Sequence, residues 1–317
     1  MTSSPTQAPF LCYGYLQRWW LYRGGGEWPE SSLVLLGARE QGRLVGIAPF
    51  FKTRHAGQEK LLLLGSIEIS DYLDFIYLPE KGAIFFEALF KYLGQEPELK
   101  DLPLLLFNLP ESSPSHALLN QAAAMHGWQL QTERAYHTPA IPLAADWDTY
   151  LAGIDKKQRH EIRRKLRRAE EGGEDIRWYI LNQEHDLDAE IEDFLLLMAH
   201  DEQKQGFLTE TMRAQLRSIM RWAHDEKILQ LSFLTVTGKK AAAYCCFVYQ
   251  GRVWVYNSGF DPQFRENSPG WVLLSYLIQH AIQTGQKTFD FMRGDEDYKY
   301  RFGAQDSFVL KVEITRE

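Results

Sequence analysis

The chain has 317 residues, of which 45% are hydrophobic and 24% are charged. These proportions are ordinary for a globular protein, and the length suits two domains better than one core. Three cysteines without regular spacing argue against a disulfide framework, and nine histidines show no metal-ligand spacing, so no metal site is predicted. The net charge of −7 excludes a protein that is basic throughout, as a general nucleic-acid binder would be.

The chain carries no signal for a membrane or for export. Its longest apolar runs, such as Leu61–Leu64 and Leu102–Phe107, are far too short to cross a bilayer. The polar stretch from Met1 to Pro9 lacks the basic and apolar parts of a secretory signal. We therefore expect a cytoplasmic protein.

The first part of the chain alternates helical and strand patterns. A helix is predicted from Phe10 to Tyr22, and a glycine triplet ends it. Two apolar runs around a turn at Gly42 predict a hairpin. The further predicted elements are strands at 61–64, 72–78, 104–108 and 128–131 and helices at 84–93 and 115–126.

The second part begins after Pro139 and Pro142, which interrupt the pattern. It shows a long basic helix from about Trp147 to Glu170 and then a three-stranded antiparallel meander between Ile228 and Phe260. The remaining predicted elements are a strand at 176–181, helices at 188–204, 209–224 and 269–283, and closing strands at 288–292 and 308–314. We predict domains at 1–140 and 141–317, of α/β (α+β) class, whose similar order of elements hints at duplication.

The segment 155–170 concentrates positive charge. It contains eight Lys or Arg residues against three acids, so its net charge is +5 and the rest of the chain carries −12. Arg159, Arg163 and Arg167 recur at helical spacing, as do Arg164 and Arg168. Such a run is either a solvated helix face or a surface for an anionic ligand, and the residues leave both open.

The stretch 259–270 predicts an anion site. It follows a strand and opens a helix, with Ser268 as the expected N-cap and Pro269 in the first turn. Amide hydrogens at a helix start attract negative charge, Gly270 allows close approach, and Arg265 can add a charged contact. An ordinary capped helix is the alternative.

The stretch 289–303 places many polar groups in a loop after a strand. Asp290 lies between two phenylalanines, so it is either exposed or buried with a partner such as Arg293 or Lys299. Lys299, close to several aromatic residues, can stabilise an anion. A solvated loop with surface ion pairs is the alternative.

The loop from Arg265 to Gly270 resembles the acyl-CoA pyrophosphate loop of the GNAT acetyltransferase superfamily, with Ser268 where that family has glycine. The second part as a whole resembles the CelD-type, BioF-like acetyltransferase family, which is connected with cellulose biosynthesis. Four segments carry the resemblance in order: the basic helix around Arg163 and Arg167, Gly259–Pro262, Ser268–Gly270 and Asp290–Lys299. Ser70–Asp74 extends it to the first part, and Tyr298–Gly303 also resembles Fem-type peptidyltransferases.

The resemblance implies two tandem GNAT-like lobes, each a mixed, mainly antiparallel sheet flanked by helices. It implies an N- or O-acyltransferase, in cell-envelope or polysaccharide metabolism, that uses acetyl-CoA or another acyl-CoA as cosubstrate and holds no permanent cofactor. The implied residues are Asp290, Arg293, Asp295 and Lys299 for catalysis, Arg265, Ser268 and Gly270 for the carrier, and Asp71, Tyr72, Asp74, Arg163, Arg167 and Tyr298 for a small-molecule or glycan acceptor.

Two other functions stay open. One is Fem-like aminoacyl transfer from tRNA docked on the basic helix at 156–168, and the other is a non-catalytic scaffold that binds a carbohydrate or a partner protein. Salt-sensitive binding of charged tRNA would favour the first. Normal function after Lys299→Ala and Asp290→Ala would favour the second.

Overall fold

The computed structural model describes residues 4–316, so Met1–Ser3 of the N-terminal stretch considered above lie outside the described residues. The chain divides into two compact units. One comprises the residues up to His137 together with those from Ser307, and the other runs from Thr138 to Asp306. Within the described residues, no helix has both the length and the apolar character needed to cross a membrane.

The first unit is built on a seven-stranded sheet with three helices. Its strand order is β1-β2-β3-β5-β13-β6, with β4 paired to β2. The helices are α1 (Tyr13–Gly26), α2 (Gly82–Gln95) and α3 (Pro114–Met125). The strands are β1 (Ser31–Glu40), β2 (Arg43–His55), β3 (Gln58–Leu63), β4 (Ile76–Tyr77), β5 (Leu104–Pro110), β6 (Trp128–His137) and β13 (Phe308–Arg316).

The last strand is the main correction to the predicted organisation. We expected 308–314 to close the second part of the chain, but β13 lies between β5 and β6 of the first sheet and pairs antiparallel with both. Its neighbour β5 is buried at all seven positions, as expected of a central strand that pairs with a strand on each side. Alternation along a strand predicts which faces are apolar, but it does not predict the pairing partner.

The second unit has a six-stranded sheet in the order β7-β12-β11-β10-β9-β8. The strands are β7 (Ala140–Pro142), β8 (Ile176–Ile180), β9 (Leu229–Val236), β10 (Lys239–Tyr249), β11 (Arg252–Phe260) and β12 (Thr288–Asp290). The helices are α4 (Trp147–Gly153), α5 (Lys156–Glu171), α6 (Leu187–Met198), α7 (Glu202–Phe207), α8 (Glu210–Asp225), α9 (Pro269–Gln283) and α10 (Asp297–Arg301). The predicted meander is confirmed, because β10 pairs antiparallel with both β9 and β11.

Some predicted boundaries are wrong for local reasons. The expected long basic helix is two helices, because the Asp155 carboxylate accepts hydrogen bonds from the Lys157 and Gln158 amides and starts a new helix there. The predicted helix 188–204 likewise divides into α6 and α7, and the predicted strand 72–78 is reduced to two residues. The fold class, by contrast, is confirmed: both sheets are mixed, mainly antiparallel and flanked by helices.

Strand β11 extends beyond its neighbour β12. The two strands run parallel, but only Arg252–Trp254 pair with Thr288–Asp290. A β-bulge in β11 follows at once, since Cys246 pairs with Val255 and Cys245 with Asn257. Among the residues that the structure describes, the segment 255–260 of β11 therefore has β10 on one side and no strand on the other; we call that other side the open edge of β11. Bulges of this kind redirect backbone groups next to functional sites.

Candidate functional site

The start of α9 lies just beyond the open edge of β11. A 3-10 turn (Pro262–Asn267) connects the strand to Ser268, which adopts the left-handed conformation with φ 50° and ψ 49°. The predicted side-chain cap is wrong, because the Ser268 hydroxyl makes no bond to the helix and instead accepts one from Lys165 Nζ at 2.9 Å. A capping residue normally has an extended backbone, which directs its side chain at the first amides of the helix.

The first turn of α9 consequently presents amide hydrogens. Pro269 has no amide hydrogen, and Val272 is the first residue whose amide bonds back, to Ser268 O at 3.0 Å. The amides of Gly270 and Trp271 precede it and have no acceptor within the helix. A Cβ atom built on Gly270 would meet no atom within 4 Å, so the space beside this turn is open.

Lys165 of α5 supplies a cation at this helix start. In addition to its bond to Ser268, its ammonium lies 4.8 Å from the centroid of the Trp271 ring and 3.7 Å from Glu161. Burial is the main cause that lowers the pKa of Lys165, and the nearby Glu161 carboxylate opposes it. No sequence motif marks Lys165, but its position three residues after the buried Ile162 distinguishes it from the exposed cations of α5.

These groups form what we call the α9 anion site: Lys165, Ser268, Gly270 and Trp271. The buried indole nitrogen of Trp271 has no hydrogen-bond partner among the described residues, so one more donor is left unused there. Two amide hydrogens, a helix dipole and an ammonium within hydrogen-bond reach of the same turn suit a phosphate group. Arg265 is exposed on the preceding turn, where its carbonyl accepts from the Ser268 amide at 3.0 Å.

Asp290 ends β12 with 1% of its surface exposed. One carboxylate oxygen accepts from Arg252 at 2.9 Å and the other from the Met292 amide at 2.7 Å. Arg252 of β11 is therefore a partner of Asp290 that the sequence did not indicate. These contacts favour a role in which Asp290 holds the end of β12 and the turn after it. The catalytic assignment of Asp290 remains a prediction.

Lys299 is also buried, at 3% exposure, and it holds the loop between β12 and α10. Its ammonium donates to the carbonyls of Arg293 at 2.8 Å and Gly294 at 3.1 Å, and it lies 2.8 Å from the Glu296 carboxylate. Gly294 has φ 115°, and a Cβ there would lie 2.9 Å from Lys299 Nζ, so only glycine fits. Three acceptors surround the ammonium, which makes Lys299 the anchor of this loop.

The other predicted residues of the loop differ in exposure. Arg293 is half-buried, and Asp295 is exposed together with Glu296 and Asp297. Tyr298 packs edge-on against Phe291, with ring centroids 5.9 Å apart. Burial, reinforced by Glu296, raises the pKa of Tyr298 well above its usual value, so its phenol stays protonated at neutral pH and can donate a hydrogen bond.

A second lysine that sequence analysis missed reaches the open edge of β11. Lys204 of α7 donates to Asn257 Oδ1 at 2.9 Å and to the Ser258 carbonyl at 2.6 Å. Burial is the largest influence on its pKa and lowers it, whereas the carboxylates of Asp201 and Glu296 raise it. No local pattern marks Lys204, because both hydrogen-bond acceptors of its ammonium lie more than fifty positions away.

The exposed face of α5 carries Arg163 and Arg167 away from the buried stripe of that helix. Arg163 lies 4.0 Å from Asp148, with both side chains largely exposed, and such a pair contributes little to stability. Arg164 is bound by Glu161 at 2.7 Å. The face is therefore a solvated cationic surface, and its predicted role in binding an acceptor or tRNA stays a prediction.

Asp71, Tyr72 and Asp74 belong to the first unit. Asp74 is 1% exposed and accepts hydrogen bonds from Thr6, Ser113 and the Phe75 amide at 2.5, 2.6 and 2.7 Å. Burial raises the pKa of Asp74 and these bonds oppose the rise. Tyr72 is buried and Asp71 is half-buried. These contacts make Asp74 a centre of the first core, and the predicted acceptor role of the three residues stays a prediction.

The chain is similar to a known domain family and to several solved structures. Residues 156–300 match the family model of the acetyltransferase (GNAT) domain. Similar solved structures include FemX (TM-score 0.68, 12% identity, 98% of this chain and 93% of that one) and a conserved protein of unknown function from Bacteroides thetaiotaomicron (0.62, 12%, 99% and 93%). Another is L-PGS from Bacillus licheniformis (0.55, 10%, 99% and 93%). No curated protein sequence matches significantly.

Residues 156–300, which lie within the second unit, thus carry a GNAT domain, so the resemblance of this part of the sequence to the GNAT superfamily is confirmed. At 10–12% identity the solved structures show the fold alone, and they extend over both units of the chain. The matched domain indicates a transferase of the GNAT type, and the two-unit fold of the chain is shared with these solved structures. The narrower resemblance to the CelD-type family stays a prediction.

Proposed function

We propose that this protein is an N- or O-acyltransferase that takes its acyl group from acyl-CoA, in particular acetyl-CoA. The observation that carries the proposal is the open α9 anion site. Lys165 and the Ser268 hydroxyl lie together at the helix start that presents the amides of Gly270 and Trp271, and the space beside Gly270 is open. The pyrophosphate of CoA fits such a site, because amide dipoles and an ammonium neutralise it without a metal.

The open edge of β11 supports the same donor. The arm of CoA between pyrophosphate and sulfur carries two amide groups. A strand edge without a neighbour offers backbone donors and acceptors to such groups, as it does to an added peptide strand. The edge begins where β12 separates from β11 and ends close to the turn that leads to α9, so it can guide an extended arm from the anion site toward the β12 loop.

The acceptor, an amine or hydroxyl, reacts directly with the acyl carbon, and the carbon–sulfur bond breaks as the new bond forms. The acceptor's proton leaves through water to an exposed carboxylate of the Asp295–Asp297 loop and is then available to the departing sulfur. Asp290 is a weaker candidate for this base because Arg252 and the Met292 amide occupy its oxygens. Lys299 and Arg293 shape the loop, and the Tyr298 phenol contributes a hydrogen-bond donor.

Binding of CoA to the purified protein tests the donor. We expect CoA and acetyl-CoA to raise the melting temperature, and Lys165→Gln to weaken CoA binding about tenfold, the loss of one charge-assisted hydrogen bond. Arg265→Ala tests whether the exposed cation on the turn before α9 also contributes to CoA binding. Lys157→Gln, on the exposed face of the same helix, is the matched control and leaves binding unchanged. A wild-type protein that no CoA compound stabilises contradicts the proposal.

The exposed cationic face of α5 supports a second candidate, transfer of an aminoacyl group from tRNA. It would place a polyanion along Lys156, Arg163 and Arg167, next to the helix that also provides Lys165. Gel-shift titration with aminoacyl-tRNA tests it, and the affinity must fall steeply with salt if phosphates are contacted. Such binding without any response to CoA replaces the first proposal. A protein that binds neither donor is a non-catalytic scaffold.

The acceptor class implied by the sequence resemblance is an amine or hydroxyl compound of cell-envelope or polysaccharide metabolism, either a small molecule or a glycan. Release of free CoA thiol in the presence of amino sugars and of glycans measures it directly. We expect Asp295→Asn and Glu296→Gln to lower turnover more than they raise the KM for acetyl-CoA, because these exposed carboxylates lie on the loop and not at the α9 anion site.

A further inference from the structure

Lys204 connects the short helix α7 to the open edge of β11. Its two hydrogen-bond acceptors, Asn257 Oδ1 and the Ser258 carbonyl, are both on the segment of β11 that β12 no longer pairs with. The Asn257 side chain also accepts from the Ser258 amide at 2.9 Å, so it is fixed in place to receive the ammonium. The lysine thus occupies backbone that an added strand or an amide-bearing ligand would use.

The packing of α7 does not explain this contact. Glu202, Gln205 and Gly206 of α7 are exposed, and Phe207, the apolar residue that ends it, is half-buried, so α7 offers little apolar surface to the domain. Bringing an ammonium out of water is unfavourable unless its contacts compensate, and both direct acceptors here are neutral oxygens. The net free energy gained from this contact is therefore small, and a competing ligand can displace Lys204 from the edge.

Two carboxylates lie near Lys204 as well. Glu296, which the Lys299 ammonium binds at 2.8 Å, is close enough to Lys204 to influence its charge, as is Asp201. When Lys204 leaves the edge, these carboxylates offer the ammonium a new partner, so its release does not leave a charge uncompensated. The close approach of Gly259 to the α6 backbone, 2.5 Å from a built Cβ to Leu197 C, keeps β11 itself fixed.

We propose that Lys204 is a positioning residue that closes the open edge of β11, and that the amide arm of the acyl donor must displace it from Ser258. The inference rests on the proposed function, since it concerns how an acyl-CoA donor enters. Lys204 discriminates between donors: a ligand that uses only the α9 anion site is insensitive to it, and a ligand with an extended amide arm competes with it. It also couples donor binding to release of α7.

Binding of two probes by wild-type protein and variants tests this directly. ADP carries a pyrophosphate without an amide arm, and CoA carries both. We expect Lys204→Ala to bind CoA about tenfold more tightly, because one charge-assisted hydrogen bond no longer has to be broken, and to bind ADP as the wild type does. Lys204→Arg retains a cation that can reach the edge and so keeps the affinity near the wild-type value. Lys239→Ala, an exposed lysine of β10, is the control.

The outcomes separate the two proposals. If the wild type binds CoA and Lys204→Ala changes nothing, weakens CoA binding or changes both probes equally, the Lys204 proposal is wrong and the donor proposal stands. If neither protein binds CoA, both proposals are wrong. Hydrogen exchange on the wild type is an independent readout: saturating CoA, but not ADP, must speed exchange of the amides in 202–207. Unchanged exchange there contradicts release of α7.

Discussion

The two lobes differ most at one equivalent position, the start of the helix that connects two parallel strands. In the first lobe α2 lies between β3 and β5, and in the second lobe α9 lies between β11 and β12. A Cβ built on Gly82 at the start of α2 would lie 2.7 Å from Leu118 Cδ1 and 2.8 Å from Tyr77 Cε2, whereas one on Gly270 meets nothing within 4 Å. Side chains close the first helix start and leave the second open.

The charges around the two helix starts differ in the same sense. Lys81, which precedes α2, is bound by Glu40 at 2.7 Å, so its charge is neutralised on the protein surface. Lys165, beside α9, donates to a neutral hydroxyl, and its nearest carboxylate is 3.7 Å away. The same fold thus supplies a helix dipole in both lobes, but only the second combines it with open space and an available cation. The α9 anion site depends on side chains, not on the fold alone.

The buried carboxylates also distinguish the lobes, and breaking their contacts should have the largest effect. Arg252→Met removes the guanidinium that bonds Asp290, and we expect it to lower the free energy of unfolding by about 3 kcal/mol, since a buried carboxylate loses a charged hydrogen-bond donor. Thr6→Val removes one of several donors to Asp74 and should cost about 1 kcal/mol. Urea unfolding measures both, and equal losses would contradict this difference.

The two glycines test the helix starts themselves. Gly82→Ala should destabilise the protein by about 2 kcal/mol, because its methyl group overlaps Leu118 and Tyr77. Gly270→Ala meets no such obstacle and should leave stability unchanged or raise it by up to about 1 kcal/mol, the helix preference of alanine. Only Gly270→Ala should weaken CoA binding, because its methyl group enters the space beside the amides. Similar stability losses for the two variants would mean that both helix starts are closed.

The smallest predicted effect concerns pH. Burial lowers the pKa of His280 on α9 and of His55 on β2 below the usual 6.5. The unfolded chain therefore binds more protons than the folded protein below about pH 6.5, and stability falls as the pH decreases from there. His280→Gln and His55→Gln should each flatten this decline. Urea midpoints between pH 5 and 8 measure it, and a variant with the wild-type slope would show that its histidine is not responsible.

The sequence predicted those parts of the site that are formed by neighbouring residues. The bounds of α9 follow from Pro269 and from the apolar period that ends before Gly285, and the meander follows from its turns at Gly238 and Gly251. The anion site at Gly270 was predicted from a strand, a turn and a helix in succession. Even there the predicted capping bond of the Ser268 side chain is wrong, because the left-handed backbone of Ser268 depends on the turn before it.

What the sequence determined by itself is therefore the order of helices and strands, the apolar faces and the helix start that can hold an anion, because propensity, periodicity and turn chemistry act within a few residues. The tertiary structure decided which groups meet there. Lys165 reaches Ser268 across 103 positions, Lys204 reaches the open edge of β11 across more than 50, and β13 pairs with β5, which lies about 200 positions earlier in the chain. Such contacts depend on the packing of distant elements, and a single sequence carries no local pattern that records them.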